Sequence, residues 1–344
     1  MEQVLYDPEL GYYSSGPLPW GSDADYVTAP QVHPALGHSI AALAVELDDA
    51  LGRPDPFTLI EVGSGNGQLA RAVLAAVERV APALWERLSF TSVERGAAAR
   101  SAQADLPSPG AGGRVQPELP SPGEPLHGLV YANELFDAFP VHRVKQTDRV
   151  LLEAYVDVAA EQLVERYLEP STAALEQYID TNSVELAHGQ VGEVCLQVEP
   201  WLVRVNDLLG AGGLLAVDYG HSTAALYGPS RMSGTLVAQQ RLELFDDVLT
   251  YPGDRDLTAH VDFGNLRRVG ERLAMHWAGR CSLRVFLIGM GATAGQEMES
   301  LEARLALRHL LVSEIADAHS VAFLCKGLAD DAPAFGRARL DAPA

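Results

Sequence analysis

The tightest constraint on the fold lies between residues 57 and 80. Phe57-Thr-Leu-Ile-Glu-Val62 is a short apolar run rich in β-forming residues. It ends in Gly63-Ser-Gly65-Asn-Gly67, and a helical pattern opens at Gln68 with Leu69, Val73, Leu74 and Val77. That order predicts a strand, a glycine turn and a helix. A second strand is predicted over Leu88-Ser-Phe-Thr-Ser-Val-Glu94. It follows at about the distance that a βαβ unit with a right-handed crossover needs.

The same pattern recurs along the chain. Further strands are predicted at Gly128–Asn133, Gly213–Asp218, Leu283–Ile288 and Val321–Cys325. Helices are predicted at Ala35–Leu51, stopped by Gly52 and Pro54, and at Glu199–Leu209, closed by Gly210 and Gly212. Two more cover Phe263–Met275 and Gln296–Ile315. Residues Val141 to Leu168 alternate in short β-like pieces, an antiparallel addition. Met1–Pro34 reads as an ordered loop or a short helix with turns, the proline-rich stretch Ala104–His127 as a surface loop, and Tyr219–Asp256 as irregular. Strands alternating with helices imply an α/β fold, a mostly parallel sheet covered by helices on both faces. One domain spans 1–344. Within it, 1–34 is an N-terminal lid, 35–140 the ligand-binding half of the sheet, 141–198 a β-rich insertion, and 199–344 the second half with an insertion at 219–256.

Charge and cysteines narrow the function. The net charge of −21 excludes a global basic footprint for nucleic acid or acidic lipid and suits a basic partner. Cys195, Cys281 and Cys325 are odd in number and far apart, which fits neither a disulfide framework nor a metal site. A reducing, cytoplasmic location is expected. No apolar run reaches the roughly 18 residues of a membrane span. The opening MEQVLYDPELGYY lacks the basic and apolar regions of a signal peptide.

The glycine turn sits where open α/β sheets bind ligands, beyond the carboxyl ends of the strands. Its glycines fall at 63, 65 and 67, so it is neither a P-loop nor a Gly-x-Gly-x-x-Gly fingerprint. The spacing suits a ligand with no pyrophosphate to cradle, such as S-adenosylmethionine. Glu94, ending the second strand, has lone pairs for two ribose hydroxyls. The plainer alternative is a structural turn beside a solvated carboxylate. No Gly-x-Ser-x-Gly elbow or His-Glu-x-x-His appears, so hydrolase and metalloprotease readings lack support.

Five blocks carry a resemblance: Leu5-Tyr-Asp-Pro-Glu-Leu-Gly-Tyr-Tyr13, Asp25-Tyr-Val-Thr-Ala-Pro30, Glu61 to Gly67, Asn133-Glu-Leu-Phe-Asp-Ala-Phe-Pro140, and Pro252-Gly-Asp-Arg-Asp-Leu-Thr-Ala-His-Val-Asp-Phe263. Val217-Asp-Tyr-Gly-His221 agrees as well. With these the chain resembles the MidA-like family of class I S-adenosylmethionine-dependent methyltransferases, which includes a mitochondrial complex I assembly factor that methylates arginine. The resemblance implies a Rossmann-like seven-stranded sheet and S-adenosyl-L-methionine as cofactor, with S-adenosyl-L-homocysteine as product. It also implies protein arginine N-methylation. Methylation of a small metabolite on O or N, or a non-catalytic scaffold that keeps the cofactor pocket, stays open. The chain departs from the family at Ser64 and Asn66, where Pro and Arg are usual, at Gln31, and at Leu36-Gly-His38. The family's opening helix before Leu5 is missing or shortened. The departures leave the cofactor reading intact and the acceptor open.

Candidate residues follow. Thr28, Glu61, Gly63, Ser64, Gly65, Asn66, Gly67, Glu94 and Asn133 are the cofactor set. Asn133, Glu134 and Asp137 end the third strand, where the resemblance places the transferable methyl. If a helix starts there, the two carboxylates share a face; a helix-capping cluster is the alternative. On a strand or extended loop Thr258, His260 and Asp262 share one face, with His260 a base or clamp, or simply a packed histidine. Asp218 and His221 end another strand as substrate contacts, or as turn residues. Tyr6, Tyr12, Tyr13 and Trp20 anchor the N-terminal segment, and Asp25 belongs to it. No metal is expected.

Overall fold

The computed structural model describes residues 1–15, 28–292 and 300–328. Trp20, Asp25 and the expected helix start at Gln296 lie outside them. The chain divides into two compact units. One comprises Met1–Tyr26, Phe136–Trp201 and Gly220–Val269, the other Val27–Leu135, Leu202–Tyr219 and Gly270–Ala344.

The second unit carries the large sheet. Its strands, among the described residues, are β1 (Phe57–Val62), β2 (Leu88–Val93), β3 (Gly113–Gln116), β4 (Leu126–Asn133), β5 (Leu209–His221), β6 (His276–Ser282) and β7 (His319–Lys326). Their order is β3-β2-β1-β4-β5-β7-β6. The first five pair in parallel, while β7 runs antiparallel to both β5 and β6. The order reverses between β1 and β4, so the topological switch point lies at their carboxyl ends.

Helix Gln68–Val80 follows the glycine turn and buries Leu69, Val73, Leu74 and Val77, the stripe its sequence spacing sets out. Helix Ala35–Ala50 buries Leu36, Ile40, Leu43 and Leu47 in the same core, with Phe57, Leu59, Phe90, Leu129 and Tyr131 from the sheet. The two helices touch at their backbones: a Cβ on Gly37 would stand 2.5 Å from the Cβ of Ala72.

Four expectations for the elements of this sheet and its helices need correction. Leu283–Ile288 is not a strand but part of a helix, Leu283–Gly289, opened by Ser282, whose Oγ accepts the Val285 N–H at 3.3 Å. A six-residue run, apolar but for Arg284, is too short for its period to decide between the two. The strand is the preceding segment, β6, which pairs with β7 and carries a bulge between Trp277 and Gly279. Gly210 and Gly212, expected to close the helix ahead of a strand from Gly213, lie inside β5, which begins at Leu209 directly after helix Val198–Leu208. The long helix after 300 is Leu301–Val312, with a separate turn at Glu314–Ala318 and extended Ser313 between. The proline-rich stretch contributes β3 to the sheet edge, since its prolines flank Gly113–Gln116 and leave its N–H groups free to pair.

The first unit holds two antiparallel sheets. One runs Gln162–Leu168, Leu151–Ala159, His142–Gln146, Val191–Val194, around a core of Val144, Leu175, Tyr178, Val194, Leu226 and Tyr227. The other is Glu243–Phe245, Val237–Gln240, Asp256–Thr258, lying in the stretch expected to be irregular. It packs with Leu5 and Tyr12. Tyr6 donates to the Ala138 carbonyl and Tyr13 to Asp256 Oδ2, both at 2.9 Å, which anchors the N-terminal segment here. No helix among the described residues is long and apolar enough to cross a membrane. All three cysteines are free, and burial pushes the thiols of Cys195 and Cys325 up to about 11 and that of Cys281 to about 12.

Candidate active site

The glycine turn is built from left-handed backbone. Gly63, Gly65 and Gly67 have φ of 73°, 54° and 79°, a region that costs other residues about 1–2 kcal/mol each. The Gly63 N–H is held by the Val93 carbonyl at 2.9 Å. The Gly65 N–H is held by Glu94 Oε2 at 2.9 Å, while Glu94 Oε1 accepts the Gly96 N–H at 2.7 Å. Glu94 thus ties the turn to the end of β2. A carboxylate has about four lone-pair sites, so two bonds leave room for hydroxyl donors. Burial raises the Glu94 pKa, opposed by these two N–H donors and by Arg100.

Beneath the turn lies a polar network that sequence reasoning missed. Gln103 Nε2 donates to the Gly65 carbonyl at 2.7 Å and to Ser64 Oγ at 2.8 Å. Ser92 Oγ donates to Gln103 Oε1 at 2.5 Å and lies 2.6 Å from Ser64 Oγ. The Ser64 side chain is therefore committed inward. Asn66 Oδ1 accepts the Gln68 N–H, which caps the following helix. Gln68 Nε2 in turn donates to the Pro30 carbonyl, bringing the short helix Ala29–Val32 to the turn, with Thr28 at its start. Glu61 is enclosed in β1, with Tyr131 donating to its Oε2 at 2.9 Å. Burial raises its pKa to about 8, so this carboxyl is largely protonated at neutral pH.

At the carboxyl end of β4 the chain turns without forming a helix, so Glu134 and Asp137 do not share a helical face. Glu134 takes φ +52°, with its N–H bonded to the Val217 carbonyl at 2.8 Å. Its Oε1 receives Asn133 Nδ2 at 3.1 Å and faces Nε2 of His319 at 3.3 Å. His319, the first residue of β7, was not singled out in the sequence. Asp218, three residues before the end of β5, is fully buried and accepts the Leu135 and Tyr219 N–H groups, so it braces the loop after β4.

The remaining candidates lie in the first unit and form separate groups. Asp137 accepts the Thr258 hydroxyl at 2.9 Å. Asp262 accepts the hydroxyls of Tyr178 and Thr223 and the Asn265 N–H. His221 Nε2 meets both Arg231 Nη2 at 2.8 Å and His260 Nδ1 at 3.2 Å. Because arginine only donates, that nitrogen is an acceptor and the His221 ring is neutral. Lost hydration, then Arg231, lowers the His260 pKa. Thr258, His260 and Asp262 do not share one face, because the extended segment breaks after Thr258 and resumes at Val261, which pairs with Gly220 of the same unit.

The glycine turn, Glu94 and the Asn133–Glu134 corner flank the switch point of a sheet in the class I methyltransferase order. They also suit S-adenosyl-L-methionine chemically: the buried Oδ1 of Asn133 has no hydrogen-bond partner among the described residues, and that cofactor is rich in N–H and O–H donors. The chain belongs to the family described as "Putative S-adenosyl-L-methionine-dependent methyltransferase", which matches residues 39–281. It is 29% identical over 326 residues to the Drosophila melanogaster Protein arginine methyltransferase NDUFAF7 homolog, mitochondrial, covering 86% of this chain and 71% of that one. The Mus musculus Protein arginine methyltransferase NDUFAF7, mitochondrial, is 27% identical over 316 residues, covering 85% of this chain and 69% of that one. A superfamily member from Burkholderia thailandensis, solved bound to S-adenosyl-homocysteine, superposes with a TM-score of 0.85 at 27% identity, over 98% of this chain and 89% of that one. This protein is a methyltransferase and its cofactor is S-adenosyl-L-methionine.

Proposed function

We propose that this methyltransferase modifies arginine side chains of a protein. The observation that carries the reading is the Asn133–Glu134 corner, a carboxylate fixed at the switch point of a chain related over most of its length to arginine methyltransferases. The acidic net charge of −21 agrees with a basic protein partner.

Each part of the turn has a task in this reading. Gly63, Gly65 and Gly67 let the backbone approach the cofactor, Glu94 accepts the ribose hydroxyls, and the Asn133 amide takes a further donor. The bound cofactor supplies an electrophilic methyl group on a sulfonium. A guanidinium stays protonated at any ordinary pH. Glu134 therefore has two tasks: its charge orients the guanidinium, and it takes the proton that the nitrogen loses as it is alkylated.

Incubating the purified protein with methyl-labelled cofactor and a lysate of the source organism tests this. Label is expected in protein, recovered as methylarginine after hydrolysis. Label confined to small molecules would overturn the arginine reading. Glu134→Gln should lower turnover by about 10²–10⁴ with S-adenosylhomocysteine affinity unchanged. Full turnover with a lowered melting temperature would instead make Glu134 a structural residue.

A further inference from the structure

His319 is wholly buried, and both of its ring nitrogens are engaged. Nδ1 lies 2.8 Å from the Ile315 carbonyl. A carbonyl only accepts, so Nδ1 carries a hydrogen. A neutral ring would then point a lone pair from Nε2 at the lone pairs of Glu134 Oε1, 3.3 Å away. A proton must lie between the two atoms. Asn133 Nδ2 donates to the same Oε1, which marks that oxygen as the acceptor and Nε2 as the proton's carrier. The Tyr219 ring lies against the imidazole, centroids 3.9 Å apart, and fixes its plane. Glu134 itself is held in left-handed backbone, a strain of the kind that concentrates at functional sites.

We infer that His319 is the positioning residue for Glu134: its Nε2–H and the Asn133 amide together occupy Oε1 and leave Oε2 to face the acceptor nitrogen. This rests on the reading of Glu134 given above. In the transfer step the N–CH3 bond forms as the S–CH3 bond breaks, and that bond's electron pair returns to sulfur. The nitrogen's proton passes to Oε2, the N–H pair stays on nitrogen, and the proton leaves to water with the product. His319 gives up no proton; through Oε1 it holds the carboxylate in place. Nothing in the local sequence marks it, since 185 positions separate it from Glu134.

Two measurements test the pairing. Nitrogen-resolved NMR of the ligand-free protein should show both His319 ring nitrogens protonated, and Glu134→Gln should strip the proton from Nε2 alone. A neutral His319 ring in the wild type, or a ring indifferent to Glu134→Gln, would overturn the inference. In turnover, His319→Phe keeps a flat ring without a donor and should reduce kcat by about 10² or more. His319→Gln restores an N–H near the Nε2 position and should recover most of that loss, with S-adenosylhomocysteine affinity unchanged in both. Equal loss in the two variants would reduce His319 to a packing residue. If no protein acceptor is labelled and the NMR result still holds, the arginine reading fails and the His319–Glu134 pair stands.

Discussion

Replacing Glu61 by Gln should make the protein more stable at alkaline pH and leave it unchanged near pH 4.5. Glu61 is enclosed in the sheet, and burial is the main cause that raises its pKa from 4.5 to about 8, with Tyr131 pulling it down and the Glu94 charge pushing it up. Between those two values the folded protein keeps a proton that the unfolded chain has released. Stability therefore falls as pH rises through that window. Each pH unit inside it costs about 1.4 kcal/mol, so the whole window costs roughly 5 kcal/mol. Gln keeps an oxygen for the Tyr131 hydroxyl and removes the titration. Urea unfolding of the cofactor-free protein at several pH values gives the answer. Wild type and variant should nearly coincide at about pH 4.5 and separate by several kcal/mol at about pH 8.5. Glu94, also raised by burial, leaves the variant a residual slope of the same sign. Parallel profiles, or a variant less stable than wild type at the alkaline end, would show that Glu61 is ionised inside the fold and refute the reasoning.

Two further outcomes test the supports of the fold and site. Gln103→Leu leaves the Gly65 carbonyl without its side-chain donor, while Ser64 and Ser92, 2.6 Å apart, can still pair with each other. It should cost about 1–3 kcal/mol of stability and weaken S-adenosylhomocysteine binding in calorimetry, whereas unchanged affinity would show that the turn needs no such anchor. Asp262→Ala strands three buried donors, the Tyr178 and Thr223 hydroxyls and the Asn265 N–H. It should destabilise by about 3 kcal/mol or more, and a urea midpoint equal to wild type would contradict the bonding.

The strand, turn and helix from Phe57 to Val80 were legible because each signal is local. β-Forming residues, three glycines and a 3.6-residue stripe sit side by side in the chain. The parallel sheet followed from the same alternation, and the cofactor from the turn and the resemblance. Leu283–Ile288 shows a local signal left unread: a short, mostly apolar run fits helix and strand alike, and the Ser282 cap just ahead of it decides between them.

Sequence alone determined the strand, turn and helix from Phe57 to Val80 and the alternation behind the parallel sheet, and it placed Gly65, Glu94 and Glu134 at strand ends, because period and turn chemistry act over a few residues. Tertiary structure alone decided what those residues meet. Glu94 reaches Gly65 because β1 and β2 are neighbours. Gln103 reaches the turn from 38 residues away, and His319 reaches Glu134 because β7 lies antiparallel beside β5. Asp137 and Thr258, 121 positions apart, meet in the other unit. Such contacts have no local signal. They are set by how buried polar groups find partners once the chain has packed, and that search runs over the whole fold.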